Sequence, residues 1–183
     1  NCIMKKLLLV ISVFLLLMGN VANAQSREEM EASQKRYEKL VKLTKKEPKT
    51  TGIQEVDSYT KNVYDAAVNS TKMTEQLQNL YYRQIGESKD GVTDVTVKKP
   101  TLEELMSLSG TIAEQAKAIT EAGKSAADAV NASKKEKNPM KGAKIAAALA
   151  FTKDAYPILV EESALQTKAI AEMIETAKTS ENL

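Results

Sequence analysis

The stretch TLEELMSLSGTIAEQAKAITEAGKSAADAV, residues 101–130, has the most regular spacing of apolar and small side chains in the chain. Steps of three and four residues alternate between these side chains, which are Leu102, Leu105, Ser109, Ile112, Ala116, Ile119, Gly123, Ala126 and Val130. Such alternation puts one stripe on a single helix face and is typical of helices that pack at shallow angles. Ile112 and Ile119 lie at the middle of the stripe and are candidate contact residues for a partner helix.

Three prolines divide the chain around this stretch into segments, and they are Pro48, Pro100 and Pro139. Each segment begins with a helix-start pattern. Capping boxes, in which a hydroxyl residue is followed three positions later by Glu or Gln, begin at Ser26, Thr51 and Thr101. The fourth start has Asn138 before the proline, which suits the first helical position. These signals predict four helices, over about residues 27–46, 52–85, 102–134 and 139–178.

The predicted fold is all-α: an elongated antiparallel bundle of about four helices, three of them long, with coiled-coil-like packing. Short connections between the first two and the last two helices favour antiparallel neighbours. Residues 86–100 contain scattered valines but have no strand to pair with, so we expect a loop there. Residues 25–183 are about enough for a single domain.

Residues 1–24 have the pattern of a signal peptide. Lys5 and Lys6 follow Met4, residues 7–18 are apolar without interruption, and a small-residue cleavage pattern ends at Ala24. We expect a leader helix, preceded by residues 1–3, and a mature protein in the periplasm or extracellular space of a bacterium. The alternative, a retained membrane anchor, is disfavoured because a spanning helix needs about 20 apolar residues. Contact with a membrane is therefore expected only through the leader.

Composition after the leader excludes several function classes. The chain has no His, and its one Cys is Cys2, so no cysteine or histidine site for zinc or for nucleophilic catalysis can form after residue 24. Lys5 and Lys6 account for the whole net charge of +2, which leaves the remainder neutral. A neutral surface gives no electrostatic attraction to nucleic acid. We therefore expect no catalytic residues, no cofactor, no metal and no nucleic-acid partner.

Two pairs of adjacent carboxylates are the remaining candidates for acid–base chemistry. They are Glu103 with Glu104, and Glu161 with Glu162. Neighbouring residues on a helix point in different directions, so neither pair forms a ready catalytic couple. We expect all four to lie on solvated faces.

Three further residues are candidates for an interaction site or a hinge. Pro157 lies inside the fourth helix and predicts either a hinge or a static kink. Tyr82 ends the second helix, where an aromatic ring marks an interface or packs against the end of a core. Phe151 ends the most apolar later stretch, residues 141–151, which is either a lipid-contacting segment or a core helix face.

These features favour an exported, non-catalytic helical bundle that acts by binding another protein or a second copy of itself. The alternative is a carrier of lipid or another apolar ligand in a slot between helices, for which a kink at Pro157 would be suited.

Overall fold

The computed structural model describes residues 27–88, 90–93 and 96–181. It contains four helices: α1 (Arg27–Thr44), α2 (Gln54–Ile85), α3 (Leu102–Lys135) and α4 (Pro139–Glu181). The described residues contain no strand, only an isolated bridge between Glu87 and Thr93 in the α2–α3 connection. The prediction of an all-helical fold with three long helices is confirmed. The predicted leader lies outside the described residues.

The helices pack around two apolar clusters at opposite ends of the bundle. The Leu77 core includes Met30 of α1, Leu77 of α2, Ile112 of α3 and Ile170 of α4. The Val63 core includes, in the same helix order, Leu40, Val63, Ile119 and Leu159. Successive helices therefore pass between the two cores in alternating directions, as predicted for an antiparallel bundle.

The four helices are not equivalent in the bundle. The three long helices α2, α3 and α4 all contact one another, whereas α1 packs against α2 and α4. A three-helix bundle has one groove between each pair of helices, and α1 covers the groove between α2 and α4.

Local capping fixes where the two later helices begin. The Thr101 hydroxyl accepts from the Glu104 N–H at 3.1 Å, and the Glu104 carboxylate accepts from the Thr101 N–H at 2.8 Å. This reciprocal pair is the predicted capping box. At α4, the Asn138 side chain accepts from the Met140 N–H at 3.0 Å, also as predicted.

The capping box predicted at Thr51 is wrong. α2 begins at Gln54, and Asp57 in its first turn takes the reach-back role expected of Gln54. The Asp57 carboxylate accepts from the Thr51 N–H and hydroxyl, each at 2.7 Å, and from the Gly52 N–H at 3.0 Å. A carboxylate that satisfies three donors outcompetes the neutral side chain of Gln54, and Gly52 permits this turn through its φ of +80°.

Helices α3 and α4 approach closely at the Val63 core. The Tyr156 hydroxyl donates to the Ile119 carbonyl at 3.2 Å, across the surface of Gly123. A Cβ atom at Gly123 would lie 2.0 Å from that hydroxyl oxygen, so only glycine fits this contact. Pro157 follows Tyr156 directly. Helix α4 continues through this proline, which is exposed.

Candidate functional site

A layer of polar side chains separates the two apolar cores. It is built from Ser33 of α1, Ser70 and Thr74 of α2, and Glu162 and Gln166 of α4, all of which are buried. Buried polar groups are unfavourable unless they find hydrogen-bond partners, so this layer constrains how the helices align.

Glu162 is the centre of this layer, with 0 % of its surface exposed. One carboxylate oxygen accepts from the Ser33 hydroxyl at 2.5 Å and from the Thr74 hydroxyl at 2.7 Å. The other oxygen accepts from Arg36 Nε at 2.6 Å, and the Arg36 side chain is 18 % exposed. Three donors from two neighbouring helices therefore compensate the buried carboxylate.

Gln166 extends the same network by one helical turn. Its Nε2 donates to the Thr74 hydroxyl oxygen at 3.0 Å and to the Ser70 carbonyl at 3.2 Å. Because Thr74 in turn donates to Glu162, the contacts form a continuous chain from α4 through α2 and back to α4. Such chains fix the relative register of helices.

The expectation that Glu161 and Glu162 are both solvated is correct for Glu161 and wrong for Glu162. The sequence held a signal for this. Glu162 lies three residues after Leu159 and Gln166 four residues after Glu162, which continues the buried stripe of α4. With both oxygens hydrogen-bonded and no exposed surface, Glu162 is not placed to exchange protons with a substrate.

A second carboxylate on α4, Glu172, is also largely enclosed, with 13 % of its side chain exposed. Burial raises the pKa of the Glu172 carboxyl, and the nearby charge of Lys168 opposes that shift. Lys168 lies 3.8 Å from Glu172 and donates to Glu29 of α1 at 2.6 Å. This cluster is a second polar attachment of α1 to α4.

An open groove runs between α2 and α3, on a side that α1 does not cover. It has a volume of about 750 Å³, and its polar walls include Gln76, Asn79 and Arg83 of α2 and Glu103, Ser107 and Thr111 of α3. A second depression of about 430 Å³ continues along the same helix pair and shares Gln76 and Thr111 with the first. Together they form the α2–α3 groove.

One wall of this groove is fixed by an ion pair between the helices. Arg83 donates to both oxygens of Glu104, each at 3.0 Å. The Arg83 guanidinium, aided by the Thr101 N–H, lowers the pKa of Glu104 to about 2. Glu103 beside it is exposed, so the first acidic pair is solvated as expected, although one member is an ion-pair partner.

The five residues predicted from sequence to form an interaction site or hinge are not brought together. Ile112 and Ile119 are buried in the Leu77 and Val63 cores, so this part of the α3 stripe faces the chain's own helices, whereas Val130 at its end is exposed. Tyr82 is half-buried at the Leu77 core and contacts Tyr81 edge-on, with 5.3 Å between ring centroids. Phe151 is half-buried at the Val63 core, and Pro157 is exposed.

The apolar stretch around Phe151 contributes to the bundle. Ile145 and Ala148 are buried, and the Phe151 ring lies 6.0 Å from that of Tyr64. None of the described helices combines the length and the apolar character needed to cross a membrane. The described residues also hold no group of three or more Cys, Asp or Glu side chains arranged to bind a metal ion.

Comparison of the chain with models of known protein families, with curated proteins and with solved structures gave no match.

Proposed function

We propose that this chain is an exported, non-catalytic helical-bundle protein of a bacterial envelope that acts by associating with another protein or with a second copy of itself. The observation that carries this proposal is the open α2–α3 groove. Export of the protein, to the periplasm or to the extracellular space, is proposed from the leader pattern in residues 1–24.

The position of α1 supports the idea that such a groove accepts a helix. α1 is an 18-residue helix that lies against α2 and α4 and buries Met30, Ser33 and Leu40 there. The α2–α3 groove is a comparable channel between two long helices, and none of the described helices covers it. Laying one helix into the groove between two others is a common mode of peptide recognition.

The charges of the groove favour a basic partner. Its lining carries four carboxylates, from Glu75, Glu103, Glu104 and Glu114, and two cations, from Lys72 and Arg83. Arg83 is already paired with Glu104, and Glu75 accepts from the Tyr37 hydroxyl of α1 but keeps its charge, so the net charge of the lining is negative. Complementary charge steers association and disfavours partners of the same sign. We therefore infer a helical partner segment that presents Lys or Arg side chains.

Coiled-coil-like packing within the bundle is part of the same proposal. The buried residues of α3 include Leu105, Leu108, Ile112, Gln115, Ile119 and Ala122, which again alternate steps of three and four. This spacing supports packing of the knobs-into-holes kind. It also means that the α3 stripe is used inside the chain, so the partner surface is assigned to the groove instead.

A carrier of lipid or another apolar ligand receives less support. A lipid slot needs an apolar enclosure, whereas the α2–α3 groove is open and mixes Leu80 and Leu108 with charged and amide side chains. An enzyme is likewise disfavoured, because the most buried carboxylate, Glu162, is fully engaged by Ser33, Arg36 and Thr74.

A photo-crosslinking residue at Thr111 tests the proposal, with Thr120 as the matched control. Both threonines are exposed on α3 and donate to the carbonyl four residues earlier, but only Thr111 lines the groove. The full chain, expressed with its leader, should give one adduct of defined mass from position 111 and none from position 120. A Gln76→Glu substitution in the groove should raise the adduct yield, because it adds negative charge where a partner with Lys or Arg side chains binds.

Equal adducts from both positions, or none from either, would overturn the assignment of the groove. Sequencing the N-terminus of the same purified protein tests export separately: it should begin at Gln25 if the leader is removed.

A further inference from the structure

α1 is attached to the rest of the bundle by a small apolar contact, made by Met30, Leu40 and Leu43, and by several polar ones. α1 fully buries only three side chains, Met30, Ser33 and Leu40, and one of these is a serine. Its remaining contacts include Arg36 with Glu162, Tyr37 with Glu75 and Glu29 with Lys168. A helix held by a small apolar area and several polar contacts separates more readily than one held by a large apolar face.

The groove beneath α1 has a specific requirement for its occupant. Glu162 is fully buried, and its ion-pair partner is Arg36 of α1. A different helix in this groove would leave a buried carboxylate without a cation, which is strongly unfavourable. The occupant must therefore present an arginine, with a serine three residues before it and apolar residues near each end, as in the sequence of α1.

The chain link between α1 and α2 allows α1 to reach elsewhere. Residues 45–50 are exposed except for the half-buried Pro48, and the turn anchored by Asp57 begins only at Thr51. Six residues span up to about 20 Å when extended. Exchange of a terminal element through such a link is a low-cost route to a dimer, because each contact is remade in identical form.

We propose that the groove between α2 and α4 is a helix-binding site that accepts α1 from a second copy of this chain, in a reciprocal exchange. This inference rests on the proposed function, since it names a second copy as one binding partner. In the exchanged dimer each Glu162 receives the Arg36 of the other copy, so no buried charge is left without its cation. The two α2–α3 grooves stay uncovered and free for the other partner.

Charge reversal in two separate chains tests the exchange. One chain carries Arg36→Glu and the other Glu162→Arg, so each is mismatched within itself. In a reciprocal pair the Glu at position 36 meets the Arg at position 162, and the unchanged Arg36 meets the unchanged Glu162. The chains, one isotopically labelled, are refolded together from urea and weighed by native mass spectrometry.

If α1 is exchanged, the fraction of dimers that contain one chain of each kind should be well above the share expected from random pairing. The denaturation midpoint of the mixed dimer should be restored toward that of the wild type. The matched control reverses an exposed pair on α2, with Lys61→Glu in one chain and Asp65→Lys in the other, and should give mixed dimer only at the share expected from random pairing. A single chain carrying both Arg36→Glu and Glu162→Arg should be less destabilised than either separate variant. The exchange is refuted if the Arg36→Glu and Glu162→Arg chains form no mixed dimer and both stay destabilised.

A second variant keeps the test decisive if the reversed chains do not fold. Replacing residues 45–53 with nine strong helix formers joins α1 and α2 into one helix, so α1 can no longer return to its own groove. This variant should be a dimer, and adding Arg36→Glu to it should abolish the dimer. A monomer with a detached α1 would refute the inference, whereas a persisting adduct at Thr111 would leave the proposed function intact.

Discussion

Replacing Arg36 with Met removes the cation that faces the buried carboxylate of Glu162 while retaining much of the side-chain volume. Arg36 Nε lies 2.6 Å from the carboxylate, and Glu162 is 0 % exposed, so solvent cannot take the place of the guanidinium. Removing one partner of a buried ion pair costs about 3–5 kcal/mol. For a domain of this size that corresponds to a fall of roughly 6–20 °C in Tm.

Neutralising both members separates the effect of charge from that of packing. In the double variant Arg36→Met with Glu162→Gln, the amide oxygen still accepts from Ser33 and Thr74. No unpaired charge then remains in the interior. We expect the double variant to be more stable than Arg36→Met alone, which gives a coupling energy between the two positions.

Urea unfolding followed by far-UV circular dichroism measures both effects. Lys61→Met is the control, because Lys61 pairs with Asp65 on an exposed face of α2 and its loss should leave the midpoint unchanged. The reasoning fails if Arg36→Met lowers the free energy of unfolding by less than about 1 kcal/mol, as an exposed pair would. It fails equally if the double variant is no more stable than the single one.

Four other substitutions, one of them a control, have clear expected outcomes. Gly123→Ala places a Cβ 2.0 Å from the Tyr156 hydroxyl oxygen and should lower the free energy of unfolding by about 1–3 kcal/mol in thermal unfolding. Gly110→Ala is the control: a Cβ there would have no atom within 4 Å, so the free energy of unfolding should rise by up to about 1 kcal/mol. Equal effects of the two substitutions would contradict this contact. Burial raises the pKa of Glu172, so the native state binds its proton more tightly and stability falls as pH rises above the ordinary carboxyl pKa of 4.5. Glu172→Gln should flatten that fall, which is measured as the urea midpoint across this pH range. If the wild-type and Glu172→Gln midpoints change with pH in parallel, Glu172 is not the cause of the fall. Thr101→Ala should cost about 1 kcal/mol and speed amide hydrogen exchange in the first turn of α3, and unchanged exchange would argue against the cap.

Most of the secondary structure follows from local sequence. The stripe through Ile112 and Ile119, the cap at Thr101 and the prolines between segments predict helices whose observed limits differ by only a few residues. These signals are local, since the hydrogen bonds of a helix and its caps join residues at most four apart. The error at Thr51 arises from a contact just outside this range, because Asp57 lies six residues after Thr51 and is a stronger acceptor than Gln54.

The candidate site was much less predictable. Glu162 was expected in solvent because glutamate is almost never fully buried without a partner. Its partner Arg36 lies 126 residues earlier, and nothing in the spacing of either helix marks the two as a pair. The α2–α3 groove was not predicted either, since a groove is defined by which helices meet and which gap is left uncovered.

The sequence by itself determined that this chain forms helices, where they begin, and which chemistries its composition excludes. Hydrogen bonds between near neighbours and the spacing of apolar side chains are enough for that. Only the tertiary structure decided that Ile112 and Ile119 of the α3 stripe are buried within the chain, that Glu162 binds Ser33 and Arg36 of α1, and that the groove between α2 and α3 stays open. Those outcomes depend on the simultaneous packing of distant segments, because burial and charge compensation are properties of the assembled helices.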